Sequence, residues 1–287
     1  MGIIGNRDKA AGFGTIQEAA RLVIAAGREL VSDAVTADLA GLDGLASEVM
    51  DGAGELARQV DLLLVFGGDG TILRVAREIV GSRTPLLGIN IGSLGFLTAV
   101  PSDQVEGALG QIWRGEFTYE PRVLLRATGR CGPGGADVSA LNDIVVSRGI
   151  VSRLIELEVR VEGDLLTRYR CDGLIVSSPT GSTAYSLAAG GPVIWPTAAV
   201  LALTPINPHT LSNRALILPL TATVEITVAG SPAPSILSAD GEVVAELAAG
   251  DVVTVRRGRR AVRLLRLEGS SFCETLRHKL HWRGGTI

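Results

Sequence analysis

Apolar residues in the first 115 or so positions fall into two kinds of pattern. "MGIIGN" at the start, "DLLLVFGG" at 61–68 and "TPLLGINIG" at 84–92 are runs of consecutive apolar residues. Such runs predict strands covered on both faces in a parallel sheet. Between them the spacing is helical. "TIQEAARLVIAAG" at 15–27 reads as an amphipathic helix ending at Gly27, and "TILRVAREIV" at 71–80 puts Ile72, Val75, Ala76 and Ile79 on one face. "SDQVEGALGQIWRG" at 102–115 predicts another helix. Strand and helix in alternation predict a doubly wound α/β unit.

From about residue 120 the period falls to two. In "RLIELEVRVEG" (153–163), Ile155, Leu157, Val159 and Val161 share one face, and Glu156, Glu158 and Arg160 share the other. That is the alternation of a half-buried antiparallel strand. "TVEITVAG", "SILSADGEVVAEL", "DVVTVRRG" and "RAVRLLRL" continue it, with Asp240-Gly241 as a hairpin turn. "SFCETLRHKLHW" returns to helical spacing. The expected organisation is an α/β domain over 1–118 (doubly wound, Rossmann-like), a mainly β domain over 119–267, and a C-terminal segment 268–287. No long linker or repeat appears, so the domains are expected to pack closely around a cleft.

Composition narrows the function. With 46% hydrophobic and 20% charged residues, a packed core is expected rather than disorder. A net charge of −3 argues against binding driven by phosphate neutralisation along nucleic acid. The basic run "RRGRR" at 256–260 reads as a solvated hairpin tip. Cys131, Cys171 and Cys273 lack the spacing of a disulfide framework or zinc site, and His209, His278 and His281 are scattered. There is no signal-peptide pattern, and no apolar run approaches the ~20 residues that span a bilayer. A soluble, cytoplasmic protein is the expectation.

Four stretches carry candidate chemistry. In "FGGDGT" (66–71), Gly67, Gly68 and Gly70 allow close approach of backbone to ligand, and a helix is expected to begin at Thr71. A strand, a glycine turn and a helix N-terminus make a phosphate cradle. Asp69 within it is either a helix cap or a carboxylate that takes a proton or binds a metal. In "LNDIVVSRG" (141–149), Asn142 and Asp143 are a turn before a strand or a pair that reads hydroxyls or a base edge. "CDGLIVSSPTGSTAYSLAAGG" (171–191) looks like a loop of hydroxyls and backbone that wraps a polar small molecule, with Tyr185 free to stack on a base. It has no GxSxG, which argues against a nucleophile-elbow hydrolase. "NPHTLSNRALILP" (207–219) places His209, Ser212 and Arg214 before a strand expected to be buried.

These stretches in this order, with "GINIGSLGFL" and the closing "FCETLRHKLHW", resemble the NAD kinase family over most of the chain. GGDGT alone also occurs in diacylglycerol and sphingosine kinases, but the TGSTAYS stretch downstream of an Asn–acid pair suits a dinucleotide. The resemblance implies phosphoryl transfer from ATP, or from polyphosphate, to the 2′-hydroxyl of the adenosine ribose of NAD. It implies Mg²⁺ as the divalent cation and a homodimer or homotetramer, with neither nucleic acid nor membrane as partner. Asp69 then matches the proton acceptor and Gly70 lies beside NAD, while Gly67, Gly68, Gly70 and Thr71 hold phosphate. Asn142, Asp143, Arg153, Arg170, Asp172, Thr180, Thr183, Ala184, Tyr185, Ser186, Leu187, Ala188 and Glu242 match NAD-binding positions. Asp143 stands where the family usually has glutamate, and Glu242 where an amide is common. GxxxxGK[ST] is absent, and neither lysine, Lys9 nor Lys279, lies in a glycine-rich loop. Metal and loop amides are therefore expected to hold the triphosphate, which predicts strict dependence on a divalent metal. A non-catalytic dinucleotide sensor, the rival reading, would have no use for Asp69.

Overall fold

A computed structural model describes residues 1–7, 9–92, 94–131, 135–149, 153–210, 214–231 and 233–282. The chain divides into two units, Met1–Pro121 with the chain from Val262 on, and Arg122–Ala261. Each is described by itself.

The first unit holds β1 (Gly2–Gly5), α1 (Phe13–Ala25), β2 (Val31–Asp33), α2 (Ala34–Ala40), β3 (Glu48–Met50), α3 (Ala53–Gln59), β4 (Leu63–Gly67), α4 (Asp69–Glu78), β5 (Leu86–Asn90), β6 (Val100–Pro101) and α5 (Val105–Arg114). The order β5-β4-β1-β2-β3 is parallel throughout, with Ile4 beside Val65 and Gly67 beside Asn90. Every residue of β1, β4 and β5 is buried, as their unbroken apolar runs predict. Ile16, Ala19, Ala20 and Val23 of α1 pack with Leu64, Phe66, Leu87 and Ile89 of the sheet and Val105 and Leu109 of α5. The order reverses at β1: β2 and β3 follow on one side, β4 and β5 on the other. Open α/β sheets bind ligands beyond the carboxyl ends of strands at such a switch point.

The second unit is a pair of antiparallel sheets. Its strands are β7 (Phe117–Arg130, from Arg122 on), β8 (Ala136–Ala140), β9 (Asp143–Arg148), β10 (Ile155–Val161), β11 (Asp164–Cys171), β12 (Gly173–Ser177), β13 (Val200–Ile206), β14 (Leu216–Pro219), β15 (Val224–Gly230), β16 (Ser235–Ala239), β17 (Glu242–Leu247) and β18 (Val252–Leu267, up to Ala261). One sheet runs β14-β13-β12-β9-β16-β17, and the other contains β11-β10-β15-β18 with β7 and β8. Ile155, Leu157 and Val159 face Ile144, Val146, Leu174 and Val176 in a shared core, on the face their alternation predicts. Asp240 and Gly241, at φ 48° and 82°, form the two-residue β16–β17 turn, the positive-φ pair that Asp-Gly favours. Beyond Ala261, β18 belongs to the first unit, where Leu264 pairs with Leu86, and α7 (Phe272–Lys279) follows.

Three expectations are corrected. The basic run 256–260 is no hairpin tip but the middle of β18. Its glycine marks a close approach, since a Cβ on Gly258 would meet the Leu124 carbonyl at 3.0 Å, while all four arginines are exposed. The strand after "NPHTLSNRA" is an edge strand with only Leu218 buried. The stretch 171–191 is not a ligand-wrapping loop at its start: Gly173–Ser177 is β12, a central strand buried at all five positions. Among the described residues no helix is long and apolar enough to cross a membrane.

Candidate active site

At the carboxyl end of β4, Gly68 caps α4 and Asp69 is its first residue. A Cβ on Gly67 would lie 2.2 Å from Thr71 Oγ1, so only glycine lets that hydroxyl fold back over the strand end. There it accepts a hydrogen bond from Asn6 Nδ2 at 3.1 Å. Thr71 is only 6% exposed, and its hydroxyl ties the exit of β1 to the start of α4. Gly70 is exposed, with nothing within 4 Å of its Cβ position. The N–H groups of Asp69 and Gly70 have no intrahelical acceptor and lie at the positive end of the helix dipole. Free N–H groups at a helix N-terminus are a general means of holding an anion.

Asp69 is half-buried and held through both carboxylate oxygens. Phe96 N–H donates to Oδ2 and Leu97 N–H to Oδ1, each at 2.9 Å. Two backbone donors fix the carboxylate plane and leave each oxygen a further acceptor site. Gly95 makes the arrangement possible, because a Cβ there would sit 2.0 Å from Asp69 Oδ1. Gly95→Ala should therefore move the carboxylate. A displacement of about 1 Å can cost ~10²-fold in turnover. The expected signature is a fall in kcat with little change in KM for the phosphoryl acceptor, and an unchanged kcat would show that the carboxylate position does not matter.

In the second unit, Asn142 stands immediately before β9 and Asp143 opens it. The Asp240 carboxylate accepts from Leu141 N at 2.9 Å, Asn142 N at 2.7 Å and Asp143 N at 3.3 Å. Ser178 N donates to Asn142 O at 2.8 Å, and a Cβ on Gly181 would lie 2.1 Å from that same carbonyl. The backbone around Asn142 is thus clamped from both sides, while its side chain stays half-exposed. Asp143 differs. It is 4% exposed, and burial, with the charge of Asp240 next, pushes its carboxyl up to about 7.

That shift has a sign. A carboxyl raised from 3.8 to about 7 holds its proton in the folded state over a range where the unfolded chain has released it. Stability therefore falls as pH rises between about 4 and 7, by up to ~1.4 kcal/mol per pH unit. Asp143→Asn should flatten that slope, measured by denaturant unfolding at pH 5 and pH 8. A slope equal to wild type would remove Asp143 as its source.

Much of the hydroxyl-rich stretch turns inward. Ser177, Ser178, Ser182 and Ser186 are fully buried. Ser182 Oγ donates to Pro179 O and accepts from Ile194 N, and Ser186 Oγ meets Thr204 Oγ1 at 3.0 Å. Thr180 Oγ1 accepts from Nη1 of Arg122, itself 2% exposed, at 3.1 Å. Thr183 Oγ1 donates to the carbonyl of Thr180. The short helix Tyr185–Ala188 (α6) then presents Tyr185 at 47% exposure, with Ala184 and Leu187 half-exposed and Ala188 exposed. Asp172 is paired with Arg148 at 2.8 Å and accepts from Asn207 Nδ2 at 3.0 Å. Arg170 Nε stands 3.3 Å from Glu156, and Arg153, Glu242, His209 and Arg214 are exposed. Ser212 lies outside the described residues. Asp240, Gly95 and Arg122 are the supporting residues that sequence reasoning missed. Asp240 was legible only as a turn, because its three acceptances join residues nearly a hundred positions apart.

The model of the ATP-NAD kinase N-terminal domain matches residues 1–117, and that of the C-terminal domain matches 141–267. The chain belongs to the NAD kinase family. It is 42% identical over 276 residues to the NAD kinase of Symbiobacterium thermophilum, covering 96% of each chain. To that of Cupriavidus pinatubonensis it is 39% identical over 283 residues, covering 98% of this chain and 92% of the relative. An Archaeoglobus fulgidus NAD kinase in complex with ATP superposes with a TM-score of 0.74 at 25% identity, covering 99% of each chain. Yeast NADH kinase complexed with NADH shares the fold, with a TM-score of 0.90 at 24% identity over all of this chain and 88% of that one.

Proposed function

We propose that the chain transfers the γ-phosphoryl group of MgATP to the 2′-hydroxyl of the adenosine ribose of NAD, giving NADP and ADP. The observation that carries this reading is the Asp69 carboxylate, held by two backbone donors at the start of α4. The bond from O2′ to Pγ forms as the bond from Pγ to the bridging oxygen breaks, and ADP leaves with that electron pair. Asp69 accepts the hydroxyl proton, which is worth ~10²–10⁴-fold for a positioned base. The N–H groups at the start of α4 and the open backbone at Gly68 and Gly70 hold phosphate. Asn142, clamped by Asp240, reads the nucleoside, and Tyr185 stacks on a base.

Magnesium enters with ATP as part of the substrate and spreads the charge of the transferring group. No cluster of three ligating side chains exists among the described residues. Mg²⁺ commonly keeps waters and substrate phosphates as ligands, so such a site needs no protein cage. The resemblance also supports a cytoplasmic homodimer or homotetramer, and all three cysteines are free, as suits a reducing compartment.

The test is incubation with NAD, ATP and Mg²⁺, with NADP detected by an NADP-specific dehydrogenase. Polyphosphate replaces ATP in a parallel arm. Absence of NADP in both arms at saturating metal would overturn the reading.

A further inference from the structure

The sequence offers no lysine in a glycine-rich loop, but the fold supplies one from elsewhere. Lys9 lies in the turn after β1, where its N–H donates to Asn6 O and its carbonyl accepts from Gly12 N. Its ammonium reaches across to the end of β5 and donates to Ile91 O at 2.8 Å. A Cβ added at Gly68 would rest 3.8 Å from Nζ, and so would one at Gly92. The cation therefore stands between two glycine strand ends at the switch point of the sheet, beside the cap of α4. The φ of Gly92, 109°, is one that favours glycine.

For stability this charge has the wrong sign. A helix N-terminus repels a cation, and among the described residues Lys9 forms no ion pair that would offset the repulsion. Among the described residues one of its three N–H groups is engaged, which leaves two for a ligand. A second sign of incompleteness lies one residue from Ile91. Asn90 is 3% exposed and its Oδ1 has no partner among the described residues, although Nδ2 donates to Gly92 O at 2.5 Å. A buried acceptor of this kind calls for a donor, which a ligand can supply.

We propose that Lys9 binds the polyphosphate of the phosphoryl donor. The inference rests on the proposed phosphotransfer. The donor's terminal phosphate must lie next to the hydroxyl whose proton goes to Asp69, hence beside Gly68, where the Lys9 ammonium waits. Lys9 thus takes the part of the absent Walker-type lysine, delivered by the β1–α1 turn instead of the glycine loop. Triphosphate binding is not left to metal and amides alone.

Lys9→Met and Lys9→Arg test this, with Lys279→Met as control for the chain's only other lysine. Lys9→Met should raise KM for MgATP at least ~10-fold and leave KM for NAD within twofold, with partial rescue in Lys9→Arg. Equal change in both KM values, or none, would overturn the assignment. Mg-tripolyphosphate binding by titration calorimetry reads the same site without turnover. It should weaken in Lys9→Met and not in Lys279→Met, and equal binding by wild type and Lys9→Met would also overturn it. Acylation footprinting adds a third reading, in which MgATP should protect Lys9 and not Lys279. If wild type makes no NADP yet Lys9-dependent tripolyphosphate binding persists, the proposed function fails while the phosphate site stands.

Discussion

Asp69→Asn is expected to abolish most NADP formation, lowering kcat by ~10²–10⁴-fold while NAD still binds. The amide has the size of the carboxylate but cannot accept the ribose proton. It also cannot reproduce the native support, because Phe96 and Leu97 each present an N–H to a different oxygen. An asparagine satisfies one of them and turns its own NH₂ toward the other. Some displacement of the 94–97 segment is therefore part of the expected result, and activity alone would not separate a lost base from a moved loop.

The separation comes from comparison with Gly95→Ala, which keeps the carboxylate and moves it. A base whose position matters gives a graded series: Gly95→Ala loses part of kcat, Asp69→Asn loses nearly all, and NAD affinity holds in both. If Asp69→Asn weakens NAD binding by the same factor as kcat, the carboxylate is a structural element. The base assignment is then lost. Thermal unfolding of both variants checks that each remains folded.

The strands that frame this carboxylate were legible because they are long apolar runs with no polar interruption. β4 and β5 needed no tertiary information, and neither did the alternation of β10. The segment 28–60 was not legible. β2 and β3 are three residues each, and α2 and α3 seven each, too short for periodicity to separate from chance. The "RRGRR" run misled because a glycine among charges has the composition of a turn. Its actual constraint, the Leu124 carbonyl, lies more than a hundred residues away in sequence. The serines of 177–186 misled in the opposite sense. A hydroxyl that bonds backbone carbonyls can be buried at little cost, so a polar string reads as a loop around a ligand while serving as packing. For the candidate site, residue types able to do chemistry were visible, whereas those that hold them were not. Asp69 could be singled out from its motif, but the donors of Phe96 and Leu97 are backbone groups that any sequence would have. Lys9 was discounted because it is far from the glycine loop in sequence. The parallel sheet places the ends of β1, β4 and β5 side by side.

Asp240→Ala should be the most damaging change in the second unit. It removes the acceptor of three backbone N–H groups at Leu141, Asn142 and Asp143. Unsatisfied donors cost ~1–3 kcal/mol each when buried, and partial access of water should limit the total to ~2–4 kcal/mol. Alanine must also adopt the positive φ of 48°, which aspartate tolerates better. With the clamp gone, the Asn142 side chain loses its fixed position, so KM for NAD should rise at least ~10-fold with a smaller effect on kcat. Asp240→Asn separates the charge from the clamp. It keeps one acceptor oxygen but removes the charge that helps raise Asp143, and burial alone then holds that carboxyl up. Stability should still decline with rising pH, but Asp143's share of the decline should end below pH 7, whereas Asp143→Asn removes that share and leaves only what the other raised carboxyl, Asp33, contributes. Unfolding free energies at pH 5, 6 and 8 distinguish the two. An Asp240→Ala protein as stable as wild type, with an unchanged KM for NAD, would mean that the segment 141–143 holds its shape without the carboxylate.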